Sequence, residues 1–396
     1  MFERVSAAPA DPILGLNEAF ASDPRTDKVN LGVGVFMNDD GVTPILATVK
    51  EAEDRLLKGE TTKSYLAISG DPEYDAQVQG LLFGKDSEII ANNRARTAQT
   101  PGGTGALRIA ADFMRRELGV ERIHVSDPTW ANHGNIFKSA GLEVVSYRYY
   151  DSDTMGLDFD GMLEHLENVP ESEAVLFHGC CHNPTGIDPT FNQWQQLADL
   201  AKRRNFVVLF DFAYQGFARG MDEDAAGLRA FAEQVPELLI ANSFSKNFGL
   251  YNERVGAMTL VASDRHTADN AFSQVKTIIR GNYSNPPAHG AKIVATILTD
   301  DALRAAWIQE VADMRDHIQV LRDQMVQKLA DRNAKRDFGF ISHQNGMFSF
   351  TGLTPDQVKK LKEDYGIYMV GSGRINVAGM SKKNIDAVCD AIAAVV

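Results

Sequence analysis

The chain has 396 residues, 44% of them hydrophobic and 23% charged, and its formal net charge is −13. This length allows two domains, and the composition is that of an ordinary globular protein. The negative charge argues against a nucleic-acid partner, and no apolar run approaches the roughly 18 residues of a membrane span. The N-terminal residues lack an apolar segment and include Glu3, unlike a secretory signal.

The earliest predicted elements are an extended N-terminal arm and a strand over residues 29–35. From about residue 95 to 265, short apolar runs alternate with helical patterns such as the one over 191–204. The clearest strands are 174–177, 206–210 and 238–240. This alternation predicts a largely parallel sheet covered by helices on both faces, with ligands bound at the carboxyl ends of the strands.

Apolar residues at three- and four-residue steps from Leu303 to Leu329 predict one long helix over 301–333. Strand-like segments at 348–350 and 374–377 and a helix over 354–364 follow. They predict a smaller α+β unit that strand 29–35 joins, so that both chain ends build it. We therefore divide the chain into an arm (1–11), a first small-domain part (12–44), a large domain (45–312) and a second small-domain part (313–396).

Three cysteines, Cys180, Cys181 and Cys389, bear on the cellular compartment and on metal binding. They cannot all pair, and the sequence has neither a C-x-x-C motif nor a histidine–cysteine spacing typical of zinc sites. We therefore expect a reducing, cytoplasmic location, no bound metal, and thiols that pack as small buried groups.

Reactive side chains follow two of the predicted strands. Lys246 lies just past strand 238–240, near Ser243 and Ser245, while Asp211 and Tyr214 follow strand 206–210. A lysine beside a buried strand is costly to desolvate, so it needs a chemical use. A lysine that can form a Schiff base, an acid for a ring nitrogen and hydroxyls for a phosphate are what pyridoxal phosphate requires.

A glycine-rich segment that contains Gly103 and Thr104 precedes a predicted helix over 107–118. Backbone N–H groups in such a loop can face an anion, and the helix dipole favours negative charge there. The loop lacks the Walker lysine and the dinucleotide fingerprint, which argues against a nucleotide-binding ATPase. Arg254 can donate two bonds to a phosphate, and Trp130 can either stack on a flat cofactor or simply pack.

Asn183 precedes a proline in a turn, where its amide can donate a hydrogen bond. His178 and His182 lie close to it in the sequence. We expect His178 to contact the residues that bind the ligand without binding it itself, and His182 to pack in the protein interior.

Together these motifs resemble the aspartate and aromatic aminotransferases, pyridoxal-phosphate enzymes of fold type I, and look most like their bacterial aspartate-specific members. The similarity extends over essentially the whole chain. It rests on the segments 11–14, 31–35, 182–186, 211–216, 243–246, 282–287 and 372–374.

The resemblance implies roles for the residues around the cofactor ring. Lys246 would bind the cofactor covalently and move the proton of the substrate α-carbon. Asp211 would pair with the ring nitrogen, Tyr214 and Asn183 would hydrogen-bond the ring oxygen, and Trp130 would stack on the ring.

It also implies how phosphate and substrate are held. The phosphate would bind Gly103, Thr104, Ser243, Ser245 and Arg254, joined by Tyr65 from a second subunit. Arg374 would bind the α-carboxylate, and Arg280 of the second subunit would bind the side-chain carboxylate. Trp130 and Asn183 would border the substrate, and Gly34 would let the small domain close over it.

The implied reaction moves the amino group of L-aspartate to 2-oxoglutarate in a ping-pong cycle, in a cytoplasmic homodimer with shared active sites. An aromatic-amino-acid aminotransferase with the same machinery is the alternative. A non-catalytic pyridoxal-phosphate sensor is a distant one, and it would need a DNA-binding segment that the sequence lacks. Met37 and Ser64 depart from the commonest bacterial pattern near the substrate entrance, whereas Thr104 and Asn285 look like the aspartate subgroup.

Overall fold

The structure, a computed structural model, describes residues 1–7 and 14–396 of the chain. The strands are β1 (Val29–Asn30), β2 (Ala95–Pro101), β3 (Arg122–Asp127), β4 (Glu143–Arg148), β5 (Tyr150–Asp151), β6 (Gly156–Leu157), β7 (Ala174–His178), β8 (Val207–Phe212), β9 (Leu238–Ser243), β10 (Val255–Val261), β11 (Phe348–Phe350), β12 (Ile367–Tyr368) and β13 (Arg374–Asn376).

The α-helices are α1 (Leu14–Ser22), α2 (Ala47–Gly59), α3 (Pro72–Phe83), α4 (Glu88–Ala91), α5 (Gly102–Glu117), α6 (Asn132–Ser139), α7 (Phe159–Leu166), α8 (Phe191–Arg204), α9 (Met221–Asp224), α10 (Ala226–Gln234), α11 (Arg265–Asn282), α12 (His289–Thr299), α13 (Asp301–Asp331), α14 (Pro355–Tyr365) and α15 (Ile385–Val395). Short 3-10 turns occupy Phe2–Arg4, Gly339–His343 and Val377–Gly379. Throughout the described ranges, no helix combines the length and the apolar character needed to cross a membrane.

The main sheet of the described chain has seven strands in the order β2-β10-β9-β8-β7-β3-β4. Strands β9, β8, β7, β3 and β4 pair in parallel, whereas β10 is antiparallel to both of its neighbours. The predicted, largely parallel sheet is thus confirmed. Because β8 and β9 are adjacent and parallel, their carboxyl ends deliver Asp211 and the Ser243–Lys246 segment to the same edge.

Helices cover both faces of this sheet because successive side chains of a buried strand point to opposite sides. On β8, Phe210 packs against Trp194 of α8 and Phe231 of α10, with ring centroids 6.0 and 5.1 Å away. Leu209, the residue before it, belongs to a second apolar core that includes Phe113 of α5. Two cores, one on each face, therefore hold the strand ends in place.

Both chain ends build the smaller α+β unit, as predicted. Strand β1 pairs in parallel with β12, and β11 pairs antiparallel with β13. The Asn376 amide donates to the carbonyl oxygens of Val33 and Val35, each at 2.7 Å. Helix α13 runs without interruption from the large unit into the small one, and the boundary at residues 312 and 313 stays a prediction.

The strands next to the site extend further than their apolar runs predicted. Strand β8 ends at Phe212 instead of residue 210 because Asp211 continues the ladder between His178 and Ala241. Strand β9 likewise continues to Ser243. Hydrophobicity marks the buried middle of a strand, whereas backbone pairing continues into the polar residues at its end.

Two predictions at the N-terminus were wrong or incomplete. The strand over 29–35 is only two residues long, because Gly32, Val33 and Val35 give their carbonyl oxygens to side chains of the C-terminal segment instead of to a ladder. Residues 1–7 are exposed and contain a 3-10 turn instead of being fully extended. The rest of the arm, with Asp11, Pro12 and Ile13 of the first motif, lies outside the described residues.

Candidate active site

A cavity of about 230 Å³ opens at the carboxyl ends of β8 and β9. Most of the residues predicted for the site line it: Gly34, Gly103, Thr104, Trp130, Asn183, Asp211, Tyr214, Ser243, Ser245, Lys246 and Arg254. His178, Cys180 and Tyr251 line it as well.

Lys246 follows the end of β9, and its Nζ lies 4.7 Å from the centroid of the Tyr214 ring. Burial lowers the pKa of Lys246 from 10.5 to about 8; the Asp211 carboxylate opposes this change, and Arg254 and Arg374 add to it. A neutral, nucleophilic amine is therefore accessible near neutral pH, which a lysine used as a base or nucleophile requires.

This lowered pKa predicts a pH-dependent stability effect. Below pH 8 the lysine is protonated in both the folded and the unfolded chain, so folding carries the full cost of burying the charge. Between pH 8 and 10.5 the folded chain releases its proton first, so stability rises with pH. The difference between a pKa of 10.5 and one of about 8 corresponds to at most roughly 3 kcal/mol, because the side chain is partly open to the cavity.

We therefore expect Lys246→Met to stabilise the cofactor-free protein at pH 7, and this gain to shrink toward pH 10.5. The measurement is the free energy of unfolding in denaturant at both pH values, with the exposed Lys360→Met as control. A gain that is independent of pH would show that packing, and not buried charge, is responsible.

A histidine on α6 orients the Asp211 carboxylate. His133 Nε2 lies 2.9 Å from Asp211 Oδ2, and Thr129 Oγ1 lies 2.8 Å from His133 Nδ1. Burial by itself raises the pKa of Asp211, but the His133 hydrogen bond and nearby positive charges outweigh it, so the pKa lies below 3.8. Asp211 therefore stays ionised and can keep a facing ring nitrogen protonated.

The sequence analysis missed His133 and Thr129. The His133–Asp211 contact joins residues 78 positions apart, and no local pattern marks it.

The glycine-rich segment, β9 and Arg254 form a cradle suited to a phosphate. Gly102 starts α5, and a Cβ there would lie 2.5 Å from Arg254 Nη2; on Gly103 it would lie 3.0 Å from Ser243 Cβ. Arg254 Nη1 also lies 3.4 Å from Ser245 Oγ. Hydroxyls, a guanidinium and helix N-terminal N–H groups converge here, and only glycine leaves room for them. The residues present thus fit a phosphate-bearing aromatic cofactor whose ring would reach Asp211 and Lys246.

Arg374 lies buried beside this cavity, and among the described residues its guanidinium bonds to an amide and a carbonyl oxygen and not to a carboxylate. Its Nη1 donates to Asn183 Oδ1 at 3.3 Å and its Nη2 to the Gly32 carbonyl at 2.7 Å, while its Nε has no partner in the described chain. Burial lowers the pKa of Arg374 to about 10. A buried guanidinium with an unused donor is suited to a substrate carboxylate.

Gly34 and the two histidines near Asn183 have separate structural roles. A Cβ on Gly34 would lie 2.9 Å from Cζ of Phe348, whose ring centroid is 4.2 Å from the Arg374 guanidinium. His178 lines the cavity, and its Nε2 lies 3.1 Å from Thr129 Oγ1. Burial lowers the pKa of the His178 imidazole to about 3. His182 is buried and stacks on Tyr149 at 3.9 Å.

The structure does not bring Tyr65 and Arg280 to this cavity. Both line a separate surface cavity of about 1000 Å³, together with Ser64 and Asn285. Tyr65 is 92% exposed, and the Arg280 guanidinium is exposed and donates a hydrogen bond to the Ser284 hydroxyl of its own chain. Within one chain, these residues therefore face outward.

Comparison with known proteins identifies the family. A family model described as aminotransferase class I and II matches residues 26–392. The chain belongs to this family. It is 60% identical over 395 residues to the aspartate aminotransferase of Escherichia coli strain K12, covering 100% of both chains. It is 46% identical to the aromatic-amino-acid aminotransferase of Pseudomonas aeruginosa, covering 100% of this chain and 98% of that one.

Solved structures share the fold over the whole chain. An aromatic-amino-acid aminotransferase from Burkholderia pseudomallei, covalently bound to pyridoxal phosphate, superimposes with a TM-score of 0.97 at 49% identity, covering 100% of this chain and 99% of that one. The cytoplasmic aspartate aminotransferase of Saccharomyces cerevisiae gives a TM-score of 0.97 at 37% identity, covering 100% and 98%. Both of these aminotransferases therefore share the fold of this chain over essentially its whole length.

Proposed function

We propose that this aminotransferase moves the amino group of L-aspartate to 2-oxoglutarate, giving oxaloacetate and L-glutamate, with pyridoxal phosphate as cofactor. The similarity to bacterial aspartate aminotransferases supports the choice of substrate. The observation that carries the proposal is the convergence of Lys246, Asp211 and the phosphate cradle on one cavity, with the buried Arg374 guanidinium beside it.

Each residue has a proposed task toward the cofactor. Bound in the cavity, pyridoxal phosphate supplies a ring that stabilises negative charge at the substrate α-carbon. Asp211, ionised and oriented by His133, keeps the ring nitrogen protonated. The phosphate donors are Gly103, Thr104, Ser243, Ser245 and Arg254, the ring-oxygen donors are Tyr214 and Asn183, and Trp130 packs on the ring.

Lys246 holds the cofactor and moves the proton. Burial favours the neutral form of its Nζ, which would take the proton from the substrate α-carbon and return it on the other side of the transferred nitrogen. Arg374 binds the substrate α-carboxylate while Asn183 keeps the guanidinium in place. Because Gly34 lies against the Phe348 ring, a larger residue there would displace the ring on which the Arg374 guanidinium packs.

A homodimer completes the site in this proposal. Tyr65 and Arg280 are exposed in one chain, so a second copy can supply them to the cofactor phosphate and to the side-chain carboxylate of the substrate. An arginine at each end of the substrate matches a dicarboxylate such as aspartate. We further propose a cytoplasmic location, in keeping with three buried cysteines that are all free.

The aromatic alternative differs in substrate preference. Its support is the similarity to aromatic aminotransferases at 46% and 49% identity. The discriminating experiment measures half-reaction rates of the purified holoenzyme with aspartate and with phenylalanine, in the wild type and in Arg280→Asp. We expect a strong aspartate preference in the wild type and loss of the aspartate reaction by orders of magnitude in the variant. A wild type that favours phenylalanine would establish the aromatic function.

Mixing two inactive variants tests the shared active site. Lys246→Ala and Arg280→Ala proteins should each be nearly inactive. In a heterodimer, one site carries both lesions and the other neither, because each subunit lends its Arg280 to its partner. Random exchange makes about half of the dimers mixed, so roughly a quarter of all sites should recover.

Aspartate activity is the readout for this mixing, and mass spectrometry establishes that exchange has taken place. Heterodimers without recovered activity would place Lys246 and Arg280 of each site on one chain. The class of reaction would remain unaffected by that result, because the half-reactions of the wild type test it separately.

A further inference from the structure

Asp188 connects the turn that carries Asn183 to the smaller α+β unit. Its carboxylate accepts hydrogen bonds from two successive backbone N–H groups of that turn, those of Cys181 and His182, each at 2.9 Å. The same carboxylate accepts a third hydrogen bond, at 3.2 Å, from the side-chain amide of Asn345. One side chain therefore joins the backbone of the large unit to a residue of the small one.

The turn over residues 181–188 has a backbone conformation that needs such an anchor. Cys181 has a φ of +51°, in the left-handed region that residues with a side chain rarely adopt. A conformation of this kind costs about 1–3 kcal/mol and persists only where surrounding contacts enforce it. The Cys181 N–H bonds to Asp188 Oδ2, so the carboxylate fixes the turn two residues before Asn183.

On its other side, Asp188 is tied to the segment that supports Arg374. Strand β11 begins at Phe348, three residues after Asn345, and the Phe348 ring centroid lies 4.2 Å from the Arg374 guanidinium. Strand β11 pairs with β13, which begins at Arg374. The Asn345 N–H also donates to the Gly186 carbonyl at 2.6 Å, so this segment meets the 181–188 turn at two points.

The charge of Asp188 strengthens its hold on the turn. Burial raises the pKa of Asp188 to about 6, whereas the hydrogen bonds from the His182 and Cys181 N–H groups act in the opposite direction. The carboxylate is therefore mostly ionised at neutral pH. Hydrogen bonds to an ionised carboxylate are roughly twice as strong as those between neutral groups.

We propose that Asp188 is a positioning residue for the substrate α-carboxylate, acting through Asn183 on the Arg374 guanidinium. The inference rests on the proposed function, in which Arg374 binds that carboxylate. Arg374 Nη1 and Asn183 Oδ1 are 3.3 Å apart, which is already long for a hydrogen bond, so a shift of the turn by a few tenths of an ångström breaks it. The guanidinium then loses one of its restraints and part of the orientation that a two-bond contact with a carboxylate needs.

The test is the binding of succinate to the purified holoenzyme, measured by isothermal titration calorimetry. Succinate is a dicarboxylate without an amino group, so it binds without reacting. Asp188→Asn keeps the side-chain shape but turns one acceptor into a donor, which leaves an N–H group of the turn unpaired. We expect succinate to bind about tenfold more weakly, and KM for aspartate to rise by more than kcat falls.

Asp300→Asn is the matched control. Asp300 also accepts hydrogen bonds from two successive backbone N–H groups, those of Ala302 and Leu303, each at 3.0 Å, but it does so at the start of α13. This variant should bind succinate as the wild type does. The free energy of unfolding in denaturant reports the stability of every variant separately from binding.

A double-mutant cycle distinguishes positioning from general destabilisation. If Asp188 acts through Asn183, Asp188→Asn weakens succinate binding about tenfold in the wild type but less than about twofold in Asn183→Ala. Equal effects in both backgrounds overturn the proposal, and so does unchanged succinate binding in Asp188→Asn. If Asp188→Asn does not fold, Asn345→Ala replaces it in the cycle, because this change spares the bonds to the turn; it should weaken binding at least about twofold, and only while Asn183 is present.

Arg374→Lys separates failure of this inference from failure of the proposed function. Lysine keeps the charge but lacks the planar fork that matches a carboxylate. A wild type that binds succinate no better than Arg374→Lys overturns both, because the guanidinium then has no part in carboxylate binding. A wild type that binds succinate far better than Arg374→Lys, with Asp188→Asn unchanged, overturns the positioning role alone.

Discussion

Replacing Lys246 by alanine is expected to lower kcat/KM for aspartate by at least about ten-thousandfold while pyridoxal phosphate remains bound. Loss of an acid–base group accounts for about 10²–10⁴ of the rate, and loss of covalent attachment adds to it. Binding persists because the cradle of Ser243 and Arg254 and the carboxylate of Asp211 lie elsewhere in the cavity.

Steady-state kinetics measure the loss, and phosphate content of the dialysed protein measures the retained cofactor. The exposed lysine of α14, Lys360, provides the matched control, and Lys360→Ala should behave as the wild type does. Turnover of Lys246→Ala within tenfold of the wild-type value would show that Lys246 takes no part in the reaction.

Replacing Asp211 is expected to have the next largest effect, well above that of Tyr214→Phe. Loss of the carboxylate removes the partner that keeps the ring nitrogen protonated, whereas loss of the phenol removes one hydrogen bond to the ring oxygen. A preorganised charged contact of this kind is worth about 10²–10³ in kcat, and often more in a buried site.

Asp211→Asn is the sharper variant, because it preserves the side-chain shape beside His133 and removes only the charge. We expect Asp211→Ala and Asp211→Asn to lose at least about a hundredfold in kcat/KM, and Tyr214→Phe to lose far less. The exposed Asp199→Asn on α8 serves as control. If Asp211→Asn keeps the activity that Asp211→Ala loses, the carboxylate acts through shape and hydrogen bonding instead of charge.

The sequence alone determined the central strands and the clearest helices, and it predicted the chemical character of the site. Periodicity predicted the observed bounds of α8, Phe191–Arg204, and it predicted an end for α13 that lies two residues past the observed one. It could do so because an amphipathic pattern records which face of a helix is buried. The sequence also predicted that Lys246 and Asp211 lie near each other, because the carboxyl ends of neighbouring parallel strands meet at one edge of the sheet. The family motifs then supplied a role for each side chain.

The tertiary structure alone decided which distant groups touch. His133 meets Asp211 across 78 positions, and Arg374 meets the Gly32 carbonyl across 342. It also placed Arg280 away from the cavity of its own chain, and Asn345 against Asp188. Hydrophobic patterns record local burial, whereas the partner of a polar group depends on where crossovers carry each element. Such contacts therefore become visible only when the chain is folded.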